Sequence, residues 1–383
     1  MGLASREMTR PPLKRAQLAG VGSTIAGRAT PDGTKAFANR FAGSFAPDFY
    51  REAAGLTISS IGMGTYLGEC DDEEDARYVT VLREGIANGL NLLDTAINYR
   101  CQRSERAVAT ALRAAIESGA AAREEIVVCT KGGYVPLDGA PPGSRQQYDT
   151  YLENEYFTPG TMSKGDLVAG GHCLTPSFLA NQVARSLANL GIECIDFFYI
   201  HNPEQQLDTV DRTRFLEVMG EAFGALEREV EKGRIGAYGC ATWHGFRTFA
   251  ASRNYLSLRD LVETARRVAG PEHHFRVVQL PVNLAMTEAV RSPTQTDSGK
   301  NVALLDLAQE LGISVVASAT LMQAQLTQNL PAAVRTMFPS VKTDAQRAIS
   351  FVRSLPVAAA LVGMRTPGHL SENLMSASLP PSR

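Results

Sequence analysis

The sequence alternates eight times between a short apolar segment and an amphipathic segment with helical periodicity. The apolar segments are rich in β-branched residues, which is typical of strands that are buried on both faces. Residues 212–232 give the clearest helical pattern, since one face collects the apolar side chains of Phe215, Val218, Met219, Ala222, Phe223, Leu226 and Val230. Eight repeats within about 320 residues predict an α/β protein with a closed (β/α)₈ TIM barrel rather than two smaller domains.

The repeats also indicate where the barrel begins and ends. The predicted strands cover residues 58–66, 89–95, 125–131, 194–201, 234–242, 275–282, 312–319 and 356–363. The predicted helices cover residues 74–88, 104–118, 176–190, 212–232, 257–269, 300–311, 342–354 and 367–375. Residues 1–54 show no sustained period. We therefore expect an N-terminal extension, extended or partly disordered, ahead of a barrel over residues 55–378.

A long insertion follows the third predicted strand. About forty residues separate this strand from the third helix, and they are rich in glycine, proline and aromatic residues. The aromatic side chains are those of Tyr134, Tyr148, Tyr151, Tyr156 and Phe157. Because the insertion leaves the carboxyl end of a strand, we expect it to lie over the end of the barrel that carries active sites in this architecture.

The composition restricts the partners of the chain. A net charge of −2 over 383 residues provides no basic surface for nucleic acid or anionic membranes. No segment approaches the roughly 18 apolar residues of a membrane span. The cysteines occur singly, without metal-ligand spacing, at positions 70, 101, 129, 173, 194 and 240. We expect a cytoplasmic protein that binds no metal and acts on a small molecule. The long N-terminal arm could contact a neighbouring copy, so a homo-oligomer is an open alternative.

Ionisable residues stand at the carboxyl ends of three consecutive predicted strands. Asp94, Lys131 and His201 end the second, third and fourth strands, and Tyr99 follows Asp94 by five residues. These ends converge in a barrel, so the four side chains are expected to share one cavity. A lysine lowers the pKa of a nearby tyrosine, a carboxylate keeps the lysine charged, and a histidine can polarise a carbonyl. Together they could protonate a carbonyl oxygen, while a cofactor would supply the hydride.

The motifs around these residues resemble those of the aldo-keto reductase superfamily. The resemblance runs from about Gly55 to Leu374 and is carried by IGMGTYLG, DTAINYRCQRSE, VVCTKGG, DFFYIHNPE and GMRTPGHLSEN. It implies that Tyr99 is the general acid, that Lys131 and Asp94 tune it, and that His201 orients the carbonyl. It also implies an NADPH-dependent oxidoreductase that reduces an aldehyde, ketone or sugar-like substrate to an alcohol, or catalyses the reverse reaction.

The same resemblance implies a cofactor site across the barrel end. Gln279 matches the glutamine that contacts the nicotinamide amide, and the helix start near Thr366 would receive phosphate. Arg365 would bind a 2′-phosphate, which favours NADPH over NADH. The other cofactor positions implied are Gly64, Thr65, Tyr66, Thr242, Ser318, Leu321, Gln323, Gly363, Glu372 and Asn373. The positions expected to contact the substrate are Tyr66, Tyr134 and Trp243.

Three departures from the family pattern keep alternatives open. Residues 239–243 read GCATW where the family has G-x-S-N-[FW], so Ala241 and Thr242 replace a serine and an asparagine. Ser318 stands where an aromatic residue is common, and residues 100–102 replace a glycine-rich stretch. The changed nicotinamide contacts, together with the long insertion, leave open an NADP(H)-binding sensor or regulatory protein with little turnover.

A further alternative is a glycoside hydrolase. Asp94 and Glu204 would then be its pair of carboxylates. That hypothesis gives Lys131 and Tyr99 no role.

Overall fold

The computed structural model describes residues 23–379, and it confirms the predicted TIM barrel. The strands, in chain order, are β1 (Tyr50–Ala53), β2 (Leu56–Ser59), β3 (Ile61–Gly64), β4 (Leu92–Asp94), β5 (Val127–Gly132), β6 (Ile195–His201), β7 (Ile235–Ala241), β8 (Phe275–Pro281), β9 (Gln295–Asp297), β10 (Lys300–Val302), β11 (Ser314–Ser318) and β12 (Ala359–Gly363). Eight of them close a barrel in the order β11-β12-β3-β4-β5-β6-β7-β8. Every neighbouring pair in this barrel is parallel.

Helices cover the outside of the barrel. In chain order they are α1 (Pro31–Arg40), α2 (Asp72–Ala87), α3 (Arg103–Glu117), α4 (Arg145–Leu152), α5 (Pro176–Leu190), α6 (Arg212–Glu231), α7 (Leu258–Ala269), α8 (Glu288–Arg291), α9 (Leu304–Glu310), α10 (Ala332–Met337), α11 (Asp344–Arg353) and α12 (Pro367–Ala377). In the part of the chain that the structure describes, no helix is long and apolar enough to cross a lipid bilayer.

The sixth predicted helix begins later than expected. Residues 300–302 belong to strand β10, which pairs with β9 in a small antiparallel hairpin. The two residues of its turn, Ser298 and Gly299, both have positive φ angles, 47° and 78°. Two successive residues with positive φ form the tight turn that joins antiparallel strands, so the chain starts helix α9 only at Leu304.

The barrel interior is filled by side chains and closed at its amino-terminal end. Strands β1 and β2 form an antiparallel hairpin, whose Ala53, Leu56 and Ile58 pack in one cluster with the inward-facing Leu92 and Phe197. Asn91, just before β4, accepts the backbone N–H of Ser59 at 2.8 Å and thereby joins the hairpin to the barrel. The packed interior and the hairpin leave the carboxyl ends of the strands as the open end.

Part of the N-terminal extension is helical, contrary to the prediction of an extended arm. Thr30 caps helix α1 by accepting the N–H of Gly33 at 3.0 Å, and Pro31 supplies a preset φ angle at the first helical position. The hairpin turn lies at Ala54 and Gly55, so the boundary proposed at 54/55 falls within it. Residues 1–22 of the predicted arm lie outside the described residues.

The insertion after β5 folds around a small core of its own. It contains α4, a π-helical turn at Glu153–Phe157 and a 3₁₀ turn at Lys164–Asp166. Its buried core consists of Val135, Leu152, Tyr156, Met162 and Cys173, packed together with Phe178 of α5. Tyr151 donates from its hydroxyl to the carbonyl of Pro136 at 2.6 Å, which joins α4 to the start of the insertion.

Candidate active site

A cavity of about 950 Å³ lies at the carboxyl ends of the barrel strands. Of the four predicted catalytic residues, Asp94, Tyr99 and His201 line it, whereas Lys131 is buried and 1% exposed. All the other predicted positions also line it: Gly64, Thr65, Tyr66, Tyr134, Thr242, Trp243, Gln279, Ser318, Leu321, Gln323, Gly363, Arg365, Glu372 and Asn373. The structure thus brings the whole predicted set to one place.

Asp94 and Lys131 form a buried ion pair beneath the cavity. The ammonium Nζ of Lys131 donates to Asp94 Oδ1 at 2.6 Å and to the carbonyl of Thr95 at 2.8 Å. Burial, the largest influence, lowers the pKa of Lys131, but Asp94 and then Tyr99 more than compensate, and the pKa lies above its ordinary value. Gln279 donates to Asp94 Oδ2 at 2.7 Å, so both carboxylate oxygens have a partner.

Tyr99 lies beside this ion pair. The Nζ atom of Lys131 is 4.7 Å from the centroid of the Tyr99 ring. The sequence predicted that Lys131 lowers the pKa of Tyr99, and this contribution is present. Burial is the larger influence and raises the pKa of Tyr99 above its ordinary value, with a further increase from Asp94. The predicted net lowering is therefore wrong for the free protein, and Tyr99 is a protonated phenol at neutral pH.

His201 lies beside Tyr99 in the cavity lining. The two rings pack edge to face with their centroids 5.8 Å apart. Burial lowers the pKa of His201 well below its usual range, and the positive charge of Lys131 and the neighbouring His172 lower it further. A neutral imidazole carries one N–H, which can donate to a substrate oxygen.

His172, from the insertion, supports the main chain at this point. Its Nε2 lies 2.8 Å from the carbonyl oxygen of His201, and its Nδ1 lies 2.7 Å from the amide Nε2 of Gln206. Burial lowers the pKa of His172 to about 4. A neutral ring donates from one nitrogen and accepts at the other, which fits a donor to the His201 carbonyl and an acceptor from Gln206. His172 therefore has a structural role.

Asn202 is a site residue that the sequence did not single out as a contact. It has a positive φ angle of 47°, and its Nδ2 donates to the Tyr134 hydroxyl at 3.0 Å. Its Oδ1 accepts the backbone N–H of Trp243 at 2.9 Å. Asn202 thereby connects Tyr134 and Trp243, two of the three aromatic residues predicted to contact substrate. Its position directly after His201 was the available signal.

Of the insertion's aromatic side chains, only that of Tyr134 lines the cavity. Tyr148 donates to the carbonyl of Gly170 at 2.7 Å, and Tyr156 is buried in the insertion's own core. Tyr134 at the start of the insertion and His172 near its end therefore lie at the active end, whereas Tyr148 and Tyr156 contact other parts of the insertion.

Glu204 organises the loop after β7. Its Oε1 accepts the hydroxyl of Thr242 and the backbone N–H groups of Trp243 and His244, both at 3.1 Å, and that of Gly245 at 3.3 Å. Thr242, which replaces the family's asparagine, is thus bonded within the protein. Glu204 does not line the cavity, and Asp94 is bonded to Lys131 and Gln279. Asp94 and Glu204 therefore do not face a common substrate space as the pair of carboxylates that glycoside hydrolysis requires.

The loop that carries Tyr99 has an unusual backbone. Arg100, Cys101 and Gln102 have positive φ angles of 47°, 54° and 69° at the positions where the family has a glycine-rich stretch. Arg100 donates from Nε to the carbonyl of Glu69 at 2.8 Å, and Gln102 donates from Nε2 to the carbonyl of Leu137 at 2.9 Å. These side-chain contacts hold a conformation that non-glycine residues otherwise avoid.

The far end of the cavity meets the start of α12. Thr366 caps this helix, and Glu372 and Asn373 lie in its second turn. The guanidinium of Arg365 donates two hydrogen bonds to the carboxylate of Glu74. Nε donates to Oε1 at 2.6 Å, and Nη2 donates to Oε2. In the acidic run at residues 71–75, Asp71 caps α2, whereas Glu74 is buried and faces Arg365.

The cavity fits an elongated polar ligand such as a nicotinamide dinucleotide. Among the described residues, the buried Asn98 Oδ1 and Thr320 Oγ1 have no hydrogen-bond partner, and both residues line the cavity. Buried polar atoms without a partner are costly, so a bound ligand would satisfy them. At one end of the cavity, Gln279 lies near Tyr99 and suits the amide of a nicotinamide. At the other end, the start of α12 and Arg365 suit a phosphate.

Two curated proteins share part of this sequence. "Aldo-keto reductase str7" of Strobilurus tenacellus is 28% identical over 152 residues, which cover 40% of this chain and 34% of that protein. "D-threo-aldose 1-dehydrogenase" of Pseudomonas sp is 29% identical over 195 residues, covering 49% of this chain and 51% of that protein. The matched stretches thus span about a third and about half of the length of these relatives.

Solved structures share the fold over most of the chain. An aldo-keto reductase from Klebsiella pneumoniae, in complex with NADP and acetate, aligns with a TM-score of 0.55 at 18% identity and covers 87% of this chain and 90% of that one. The aldo-keto reductase AKR11C1 from Bacillus halodurans aligns with a TM-score of 0.57 at 18% identity and covers 87% and 91%. The family model described as "Aldo/keto reductase family" matches residues 60–382. The chain therefore belongs to the aldo/keto reductase family.

Proposed function

We propose that the protein interconverts a carbonyl compound and its alcohol with NADP(H), and that Tyr99 is the general acid and base. The observation that carries this proposal is the position of the Tyr99 phenol at the cavity surface, above the buried pair of Lys131 and Asp94. The Klebsiella pneumoniae relative was crystallised with NADP, and the Pseudomonas relative is named as an aldose dehydrogenase, which agrees with this chemistry.

Four residues have separate roles in the protonation of the substrate oxygen. Tyr99, protonated at neutral pH, donates its proton to the substrate oxygen as negative charge develops there. His201, neutral because it is buried, donates an N–H to the same oxygen and orients the carbonyl. The charged Lys131 stabilises the phenolate that Tyr99 becomes, and Asp94 holds Lys131 in position. A bound nicotinamide supplies the hydride.

Several cavity residues are suited to hold the cofactor. Gln279 is fixed by its bond to Asp94, so its remaining amide atoms can face a nicotinamide amide. At the other end, the start of α12 at Thr366 favours a phosphate, and Glu372 and Asn373 border the space for an adenine. The remaining predicted positions also line this cavity.

The substrate entrance is aromatic. Tyr66 and Trp243 are 56% and 40% exposed at the cavity border, and the Tyr134 hydroxyl lies beside them in the lining. Exposed aromatic faces suit stacking on an apolar ring or on the apolar face of a sugar, with the hydroxyl available for hydrogen bonding. We propose an aldehyde, ketone or sugar-like substrate.

One observation favours the second candidate, an NADP(H)-binding sensor with little turnover. The hydroxyl of Thr242 is bonded to Glu204 and accepts the N–H of Gly245 at 2.7 Å, and Ala241 has no polar side chain. The family pattern has a serine and an asparagine at the end of β7, where this chain has Ala241 and Thr242. This strand end therefore offers fewer side-chain hydrogen bonds to the nicotinamide. Weaker positioning of this ring would slow hydride transfer more than it would weaken binding.

A nucleotide titration followed by turnover separates the candidates. NADPH fluorescence is measured during titration of the purified protein, and the complex is then mixed with aldehydes, ketones and sugars. Binding with substrate-dependent loss of NADPH absorbance supports the enzyme. Binding without turnover on any substrate supports the sensor, and absence of binding to NADPH and NADH contradicts both.

A further inference from the structure

The charge around Arg365 differs from what a site selective for NADPH requires. In the described part of the chain, Arg365 is the one lysine or arginine among the residues that line the cavity. Its guanidinium is already engaged by both carboxylate oxygens of Glu74. A 2′-phosphate would approach an arginine whose charge is balanced by a neighbouring anion.

The contact with Glu74 is built into the fold. The Glu74 side chain is 2% exposed, whereas that of Arg365 is 40% exposed. Glu74 packs under Gly68, where an added Cβ would lie 2.5 Å from its Cγ atom. Arg77 also donates to Oε2 at 3.2 Å. A buried carboxylate that is fixed by packing and by two arginines cannot move away to release Arg365 at low cost.

Two further carboxylates lie near this pair. Glu372 lines the same end of the cavity, and Glu69 lies near enough to help raise the pKa of Arg365, after the larger effect of Glu74. The start of α12 contributes a partial positive charge, but this favours any phosphate of a dinucleotide rather than the 2′-phosphate in particular. The preference between NADPH and NADH therefore rests on Arg365 and its partner.

We propose that Glu74 sets the cofactor preference: its carboxylate neutralises Arg365, so the site gains little from a 2′-phosphate and accepts NADH alongside NADPH. This inference rests on the proposed function, because it assumes a dinucleotide across the cavity. It also revises the expectation that Arg365 makes the site favour NADPH.

The first test compares nucleotides with the unaltered protein. NADPH and NADH are titrated by fluorescence, and adenosine 2′,5′-bisphosphate and AMP are titrated by calorimetry. The members of each pair differ by the 2′-phosphate. We expect each pair to differ in affinity by less than about tenfold, a factor that corresponds to about 1.4 kcal/mol. A preference of a hundredfold or more for the phosphorylated member overturns the proposal.

The second test removes the charge of Glu74. Glu74→Gln keeps the size of the side chain, and we expect it to raise the affinity for NADPH and for adenosine 2′,5′-bisphosphate about fivefold to tenfold. The affinities for NADH and AMP should stay within about twofold. Glu73→Gln is the matched control, because Glu73 is the adjacent carboxylate but has a 76% exposed side chain and binds Arg77. This control should leave all four affinities unchanged.

The outcomes separate the inference from the proposed function. If neither the parent protein nor the variants bind NADPH or NADH, the proposed function fails and the inference fails with it. If nucleotides bind but Glu74→Gln leaves NADPH affinity unchanged or lowers it, Glu74 instead positions Arg365 and the inference alone is wrong. Thermal melting of Glu74→Gln, with a midpoint close to that of the parent, excludes misfolding as the cause of a loss.

Discussion

Tyr99 experiences two opposing influences at the cavity surface. Its burial disfavours the charged phenolate, while the ammonium of Lys131 favours it. Burial is stronger in the free protein, so the hydroxyl holds its proton at neutral pH. The sequence placed these residues together but could not provide this balance, because a pKa depends on how completely the surrounding atoms exclude water.

The change Tyr99→Phe tests the acid role directly. It removes the hydroxyl but keeps the ring that packs against Tyr66 and His201. We expect kcat for carbonyl reduction to fall at least about a hundredfold, the range for loss of a general acid, with NADPH affinity within about threefold. Steady-state kinetics and fluorescence titration provide the two values.

The matched control is Tyr134→Phe, which removes the hydroxyl that accepts from Asn202. It should reduce kcat far less. Equal loss of turnover in both variants would count against a special role for Tyr99.

The pH dependence follows from the two shifted groups. Reduction needs protonated Tyr99, whose pKa lies above its ordinary value of about 10, and a neutral His201, whose pKa lies below about 6.5. We expect kcat/KM for reduction to be flat between about pH 7 and pH 9. Alcohol oxidation needs the phenolate and should increase with pH over the same interval. Rates in both directions across this range provide the measurement.

A fall in the reduction rate centred near pH 7 would contradict this assignment. It would mean that the bound state shifts the pKa of Tyr99 downward by several units. Tyr134→Phe should leave the shape of both profiles unchanged, since it does not alter either titrating group.

At the scale of elements, periodicity predicted the barrel well. Each of the eight predicted strands overlaps a barrel strand, because parallel strands buried on both faces leave an unbroken apolar run in the sequence. Helix α1 was missed because its ten residues contain few apolar side chains, and its start depends on the cap at Thr30. The pair of Arg365 and Glu74 joins residues 291 positions apart, a contact that no local pattern contains.

The insertion provides a prediction at this scale. Leu152 is 3% exposed within the insertion's own core, and Leu152→Ala should destabilise that core by about 2–4 kcal/mol. We expect limited proteolysis between residues 145 and 170 to become much faster, while NADPH affinity stays within about twofold. The affinity is spared because Tyr134 is the insertion's contribution to the cavity lining.

Gln146→Ala is a suitable control for this experiment. Gln146 lies on the same helix but is exposed. The rate of proteolysis of the Gln146→Ala variant should therefore match that of the parent protein. Loss of nucleotide binding in Leu152→Ala would contradict the prediction, because it would show that the nucleotide site depends on the core of the insertion.

Over the whole molecule, the buried polar contacts of Asp196 and the candidate active site lie at opposite ends of the barrel. Asp196, near the start of β6, is buried and accepts the backbone N–H of Ala29 at 2.7 Å and that of Val128 at 2.8 Å. Arg123 donates to the same carboxylate at 2.9 Å. One side chain thus joins the N-terminal extension, the barrel and a buried arginine, far from the residues that line the cavity.

Asp196→Asn should therefore destabilise the protein without altering the site. It leaves Arg123 buried without its anionic partner, which costs about 3 kcal/mol. We expect the midpoint of urea unfolding to fall accordingly, with NADPH affinity unchanged. Glu193→Gln is the control, because Glu193 accepts the N–H of Gly27 at an exposed position and should change the unfolding free energy by less than about 1 kcal/mol. Equal losses of unfolding free energy in Asp196→Asn and Glu193→Gln would contradict the stabilising role given to Asp196.

The backbone after Tyr99 has a consequence for motion. Surface loops ordinarily fluctuate over nanoseconds to microseconds, and a catalytic group on such a loop would sample many positions during one turnover. Here residues 100–102 are secured on one side to Glu69 and on the other to Leu137. We therefore expect the phenol of Tyr99 to move little during turnover. The movements that admit and release a ligand should then occur at other borders of the cavity, such as residues 319–327, which are exposed at 323–325.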